Sequence, residues 1–295
     1  MKKTDQSDRV FALGSAQWGL DYGVANEQGR PTDAELRSLL GKAKQAGVTS
    51  IDTASAYGCA EAVLARCEAP TQFRVITKLD PRLPSPGQVG ESIRLSLSRL
   101  NLKVLDTVLF HRGPDSYTNG DELWRRLCGA KEDGTVKRIG VSAANPAQAW
   151  RALELEGLDT VQVASSLLDR RLYSKGFFEA AKQQGKEVFI RSVYVQGLAH
   201  LAPDALPGST RAFAGALEAL DDLASGVGLK RWQIFLSWAR QRLEGTVILG
   251  QESQSQLEAN LDAWSLPVSD DVLREAEAAA ALSSDAPLDP STWDL

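Results

Sequence analysis

The chain has 295 residues, 43% of them apolar and 24% charged, with a formal net charge of −5. That size can bury a full core as one or two domains, and the acidic balance gives no electrostatic footprint for nucleic acid or an anionic membrane. No stretch approaches the ~18 apolar residues of a membrane span, and the opening MKKTDQSDRV lacks the apolar run of a secretory signal.

In chain order, short apolar runs alternate with helical patterns. FALGS (11–15) comes first. Thr32 and Glu35 then form a capping-box pattern ahead of Leu36, Leu39, Leu40 and Ala43, and Gly47 stands where a C-terminal cap would fall. SIDTA (50–54) and RVITKL (74–79) follow. Ser85-Pro86 opens a helix with Val89, Ile93 and Leu97 on one face. LDTVLFH (105–111) and RIGVS (138–142) are the fourth and fifth runs, and Asn145-Pro146 opens the next helix. TVQVAS (160–165) and EVFIRSV (187–193) are the sixth and seventh. A loop-like stretch, 198–209, lengthens the path to TVILG (246–250). Ser253 and Gln256 form a second capping-box pattern before Leu257 and Leu261.

These runs are too short for helices and rich in Val, Ile and Thr, which suits buried parallel strands. An open doubly wound sheet and a closed barrel both fit the alternation. A count of eight favours a single (β/α)₈ barrel spanning 1–295, since that fold takes ~250 residues. The 284–295 tail reads by default as a loosely held end. Trp293 argues against that, because an indole is costly to leave in water, and a tail lying over the pocket is the alternative. Cys59, Cys67 and Cys128 form no CxxC pair. Free thiols in a reducing cytoplasm are expected, and two histidines leave a His-rich zinc site hard to build, so no metal is expected.

The titratable residues carry the function. Asp52, Lys78 and His111 lie near the C-terminal ends of three runs, and Tyr57 follows the second. In a (β/α)₈ barrel these ends form the face where active sites are built. A lysine and an aspartate within apolar strands are costly unless paired, and they are each other's most economical partners. An ammonium beside a phenol stabilises the phenolate form. Tyr57 can then give a proton to a carbonyl oxygen as hydride arrives at the carbonyl carbon, with His111 donating a hydrogen bond to the same oxygen. The set suits carbonyl reduction by an external hydride source. A structural ion pair at the barrel rim is the bland alternative for Asp52 and Lys78.

The segments DTASAYGCAE (52–61), TK (77–78) and LFHR (109–112) resemble the aldo-keto reductases. The resemblance runs in order through GVS (140–142), VQ (161–162), QGL (196–198) and ILG…QLEAN (248–260), and LGSAQWGLDYGV is similar to the family's first strand and loop. It implies a (β/α)₈ barrel with an Asp–Tyr–Lys–His tetrad, using NAD(P)H on a small-molecule carbonyl or sugar substrate. It also implies that Ser142 and Gln162 hold the nicotinamide carboxamide, although Ala143 stands where asparagine is usual. Arg191 takes the place of a ring-stacking aromatic. A planar guanidinium can also stack, and Tyr194 is a nearby alternative. Gly14, Gly250, Glu252, Gln256 and Asn260 complete the cofactor candidates. Trp18 and Tyr22 are the substrate candidates, with Trp18 reading equally as a plug of the barrel top. His200 is expected to be solvated.

The stretch 250–260 holds no Lys or Arg and carries Glu252 and Glu258, so NADH is expected to serve at least as well as NADPH. Two rival functions stay open. One is a cofactor-sensing relative with little turnover. The other is a (β/α)₈ lyase or isomerase using Lys78 as a Schiff base, which the neighbouring Asp52 would spoil.

Overall fold

The computed structural model describes residues 10–295 except 24, 25, 27, 28, 83, 84, 118, 284, 290, 291 and 295. Each expected run coincides with a strand, β5 starting two residues before its run: β1 (Ala12–Gly14), β2 (Ser50–Asp52), β3 (Arg74–Lys78), β4 (Leu105–Phe110), β5 (Val136–Ser142), β6 (Thr160–Ala164), β7 (Glu187–Arg191) and β8 (Thr246–Gly250). All neighbours pair in parallel, in sequence order. The sheet closes through β1 on β8, with Leu13 opposite Leu249 and Gly14 opposite Gly250. This is a closed (β/α)₈ barrel, not an open sheet.

Helices flank the strands: α1 (Ala16–Gly19), α2 (Asp33–Gln45), α3 (Ala60–Arg66), α4 (Gln88–Leu100), α5 (Gly120–Glu132), α6 (Pro146–Ala152), α7 (Phe177–Gln183), α8 (Ala214–Gly226), α9 (Arg231–Arg242), α10 (Gln254–Trp264) and α11 (Asp270–Ala280). The Thr32–Glu35 capping box forms on α2, and Gly47 follows it at a φ of 84°. Ser85 and Pro86 make the turn before α4 rather than its first residues, with the Ser85 N–H donating to the Gln88 side chain at 3.2 Å. On α10, Ser253 caps the Gln256 N–H, but the Gln256 side chain accepts from Glu252, so the box is one-sided. Among the described residues, no helix is long and apolar enough to cross a membrane.

Side-chain alternation explains how the barrel positions a site. Ala12, Ile76, Leu109, Phe189 and Ile248 form a small cluster apart from the main core. Residues two apart share a strand face. Arg74 and Lys78 therefore flank Ile76 on one face, as Glu187 and Arg191 flank Phe189. At the floor, Arg74 pairs with Asp106 and Glu187, each at 2.6 Å, with its guanidinium over the Phe189 ring. At the roof the same alternation presents Gly14, Asp52, Lys78, His111 and Gly250.

The connection from β7 to β8 holds more than a loop. Short helical turns at Val195–His200, Pro203–Ala205 and Gly208–Phe213 precede α8 and α9. Trp293 and Asp294 of the tail are held in place. Trp293 is buried, its indole N–H donates to the Pro287 carbonyl at 2.8 Å, and its ring meets Phe213 edge-on. Asp294 accepts from the Ser209 N–H, so the tail docks on the turns after β7.

Candidate active site

Asp52 ends β2, and Tyr57 stands on the turn that follows it, five residues on. That turn packs backbone to backbone against α1. A Cβ added to Gly19 would lie 1.9 Å from the Tyr57 carbonyl oxygen, and one added to Gly58 would lie 2.3 Å from the Gly19 carbonyl oxygen. Gly58 also adopts a φ of 55°, the left-handed region that glycine tolerates best. Both glycines fall within motifs noted in the sequence, yet their role shows only once the loops meet.

Lys78 ends β3 and is 1% exposed. Its ammonium donates to both Asp52 oxygens at 2.7 Å, to the Thr53 carbonyl at 2.8 Å and to the Tyr57 hydroxyl at 3.4 Å. Burial works against this charge, but the Asp52 carboxylate and the Tyr57 hydroxyl hold the lysine above its ordinary pKa. His111 follows β4 and meets the Tyr57 ring edge-on, with centroids 5.9 Å apart. Its Nδ1 is buried without a partner. Burial first, then the charges of Lys78, Arg191 and Arg112, lowers its pKa from 6.5 to about 3. The imidazole is therefore neutral at pH 7, a hydrogen-bond donor rather than a cation.

A stability signature follows. Between pH 6.5 and about 3 the unfolded chain takes a proton at this position that the folded protein refuses. The stability tied to neutral His111 is thus complete above pH 6.5 and is lost as the pH falls. Urea melts at pH 7 and pH 5 should show wild type losing about 2 kcal/mol more than His111→Gln over that interval. Equal losses in the two proteins would mean that the imidazole protonates freely in the folded state.

The cofactor candidates divide into two groups. Ser142 ends β5 and donates to Gln162 Oε1 at 3.0 Å, and Gln162 Nε2 donates to Asp52 Oδ1 at 2.7 Å. Arg191 ends β7, half-buried, donating to the Ala143 carbonyl at 3.0 Å and to Ser192 Oγ at 3.2 Å. These residues join the tetrad. Tyr194 does not: its hydroxyl donates to Asn260 at 2.7 Å, and its ring packs against His200 and Trp232. His200 is exposed, as expected, and its ring also packs against Tyr194 and Trp232. Just behind Arg191, Ser192, Val195 and Gln196 hold φ values of 64°, 50° and 55°. Left-handed backbone is rare for non-glycine residues and rarest for a β-branched one.

The second group lies around the β8 end. Gly14 and Gly250 stand opposite each other, and a Cβ on Gly250 would lie 2.5 Å from the Gln17 amide. Asn260 donates to Gln251 Oε1 at 3.4 Å, while the Gln251 Nε2 is buried without a partner. Glu252 borders a cavity of about 350 Å³ with Ser253, Ser38 and Arg30. Arg30 comes from the β1 loop, so inspection of 250–260 alone could not reveal it. Trp18 is 1% exposed and donates its indole N–H to the Gln251 carbonyl at 2.9 Å. Its ring belongs to the core at the barrel top rather than to an open pocket wall. Tyr22 is 39% exposed. Its phenol is raised above the ordinary value by desolvation and then by Tyr57, which sets it at the rim of the tetrad.

Residues 11–281 match the model of the Aldo/keto reductase family. The chain is 25% identical over 294 residues to pyridoxine 4-dehydrogenase of Escherichia coli, covering 90% of this chain and 96% of that protein. It is 30% identical over 274 residues to 6-dehydroglucose reductase of Novosphingobium aromaticivorans, covering 86% and 87%. The holo form of an aldo-keto reductase from Bacillus halodurans superposes with a TM-score of 0.74 at 19% identity, over 91% of each chain. A glycerol dehydrogenase from Gluconobacter oxydans gives the same TM-score at 22% identity, over 95% of this chain and 93% of its own. With the barrel and the Asp52–Tyr57–Lys78–His111 cluster described above, these matches establish that the chain belongs to the aldo/keto reductase family.

Proposed function

We propose that this protein is a cytoplasmic oxidoreductase that interconverts a small carbonyl compound, aldehyde, ketone or sugar, and its alcohol, with NAD(P)(H) as hydride carrier and Tyr57 as general acid. One observation carries the reading: a buried ammonium, held by both oxygens of Asp52, lies 3.4 Å from the Tyr57 hydroxyl. The three cysteines are free, in keeping with a reducing compartment, and the whole chain works as one barrel unit.

The residues present fit a nicotinamide dinucleotide. Ser142 Oγ and the Gln162 amide offer an acceptor and a donor side by side, which complements a primary carboxamide. Gly250 is exposed at the end of β8, and the buried Gln251 Nε2 beside it lacks a protein partner among the described residues. When bound, the reduced nicotinamide supplies the hydride. The chain's residues do the rest. Neutral His111 donates an N–H to the carbonyl oxygen and fixes its direction. Tyr57 releases its proton to that oxygen. Lys78 stabilises the negative charge left on the phenolic oxygen, and Asp52 keeps the ammonium in place. In the oxidative direction the phenolate takes the proton back.

The names of the two full-length relatives, a pyridoxine dehydrogenase and a dehydroglucose reductase, support a small polar alcohol or carbonyl as substrate. A panel of aldehydes, ketosugars and sugar alcohols, followed by nicotinamide absorbance with each cofactor, tests the reading. Tight nicotinamide binding without turnover on that panel would favour the cofactor-sensing alternative.

Cofactor choice turns on Glu252. A carboxylate near the adenosine ribose accepts from a free 2′-hydroxyl and repels a 2′-phosphate. At ~4 Å that repulsion is ~1 kcal/mol in water and ~4 kcal/mol at an effective dielectric near 20. Arg30 across the cavity opposes it, but its charge is shared with Asp21 at 3.7 Å. The expected kcat/KM with NAD(H) is at least that with NADP(H), and Glu252→Lys should shift the ratio toward NADP(H). A strong NADP(H) preference that survives Glu252→Lys and falls in Arg30→Ala would put the phosphate on Arg30 instead.

A further inference from the structure

Gln162 is 0% exposed, in the middle of β6, and its side chain bonds a residue four strands away. In a ring of eight strands, β6 and β2 face each other across the barrel. The Gln162–Asp52 bond therefore spans the barrel interior. The amide orientation is forced, because an ionised carboxylate only accepts. The NH₂ must face Asp52, leaving Oε1 to accept from Ser142. The result is one hydrogen-bonded line from Ser142 through Gln162, Asp52 and Lys78 to Tyr57. Asp52 Oδ1 is shared, taking one hydrogen from Lys78 and one from Gln162, each at 2.7 Å.

We propose that Gln162 is a positioning residue of the proton relay, whose amide reaches across the barrel to hold Asp52 and so sets how much of the Lys78 charge is felt at the Tyr57 hydroxyl. This rests on the reading of Tyr57 as the acid. A carboxylate that accepts from Gln162 spends part of its charge there and neutralises Lys78 less completely. The ammonium then stabilises the phenolate more. Without the amide, Asp52 falls wholly on Lys78, and Tyr57 becomes a weaker acid. The line also couples the Ser142 end of the site to the proton donor, so a group bound against Ser142 and Gln162 adjusts the acid that serves it.

The other groups around Tyr57 are Lys78 from β3, His111 after β4 and Tyr22 from the β1 loop, with Arg191 of β7 in electrostatic reach of Tyr22 and His111. None of them changes in the variants below. Gln162→Met keeps an apolar chain of similar length and removes the amide. Its alkaline limb of kcat should move upward by roughly half to one pH unit, and kcat at neutral pH should fall roughly three- to tenfold. The carbonyl KM should stay put. A Gln162 that only binds cofactor would raise the nicotinamide KM and leave the limb in place. One that only fills space would lower Tm and leave the limb in place. Either result overturns the proposal.

A second readout is independent of turnover. Tyrosinate absorbance, taken as the difference between proteins with and without Tyr57→Phe, should appear at higher pH in the Gln162→Met background than in the wild-type background. An unmoved midpoint overturns the proposal even if the protein reduces no carbonyl on the panel, and a moved midpoint supports it in that case too. If Gln162→Met does not fold, Gln162→Asn retracts the amide from Asp52 by one methylene and carries the same two expectations.

Discussion

Tyr57→Phe should lower kcat by ~100-fold or more, the usual scale of a lost general acid, and leave the protein otherwise intact. The phenolic oxygen receives only the longest of the four hydrogen bonds from Lys78, at 3.4 Å, while Asp52 and Thr53 hold the ammonium at 2.7–2.8 Å. The ring itself stays. Its edge contact with His111 and its position 4.9 Å from the Lys78 ammonium need no hydroxyl. Thermal stability should therefore be close to wild type, and nicotinamide binding, read by fluorescence titration, should persist. That combination separates a missing proton from a collapsed site. A Tyr57→Phe enzyme that turns over at a near-normal rate would remove Tyr57 as the acid and pass the role to His111 or to water.

The parts of this molecule that were legible in the sequence are those written locally. Eight apolar runs became eight strands because a parallel strand covered on both faces needs a short run of β-branched residues wherever it occurs. Asp52, Lys78 and His111 were legible together because each ends or directly follows a strand, and in a barrel all strands end on one face. The Thr32 and Ser253 caps are likewise settled within four residues.

What escaped depends on closure or on loops. Nothing near Gln162 indicates that its partner is 110 positions away, since that bond exists only once β6 faces β2. Arg30 shares a cavity with Glu252 because residues 29–31 after β1 lie beside the segment that follows β8. The backbone contact of Gly19 with Tyr57 has the same origin. Tyr194 looked like a ring for the nicotinamide, yet Asn260, 66 residues on, takes its hydroxyl. Helix α9 was hidden for another reason. Arg231 at its start is buried, donating to the Ala199 and Leu217 carbonyls, and its apolar residues crowd all around the helix, so no polar face announces it.

Lys78→Met should lose both turnover and stability, and the two losses have different origins. The catalytic loss follows from removing the charge that stabilises the Tyr57 phenolate. The stability loss comes from Asp52, left buried with its charge and, among the described residues, with only the Gln162 amide as a side-chain donor. Removing one partner of a buried ion pair costs about 3–5 kcal/mol, because the remaining charge is neither solvated nor neutralised. For a chain of this size the corresponding drop in Tm is on the order of 10 °C. The deficit should shrink as the pH falls, since protonating the stranded carboxyl removes the charge. Adding Asp52→Asn to Lys78→Met tests the cause directly. The neutral amide can still accept from Gln162, so the double variant should regain much of the lost stability while remaining inactive. A single variant as stable as wild type would show that Asp52 is sufficiently held without the lysine. A double variant no more stable than the single one would move the cost from the stranded charge to the packing around the Lys78 stem.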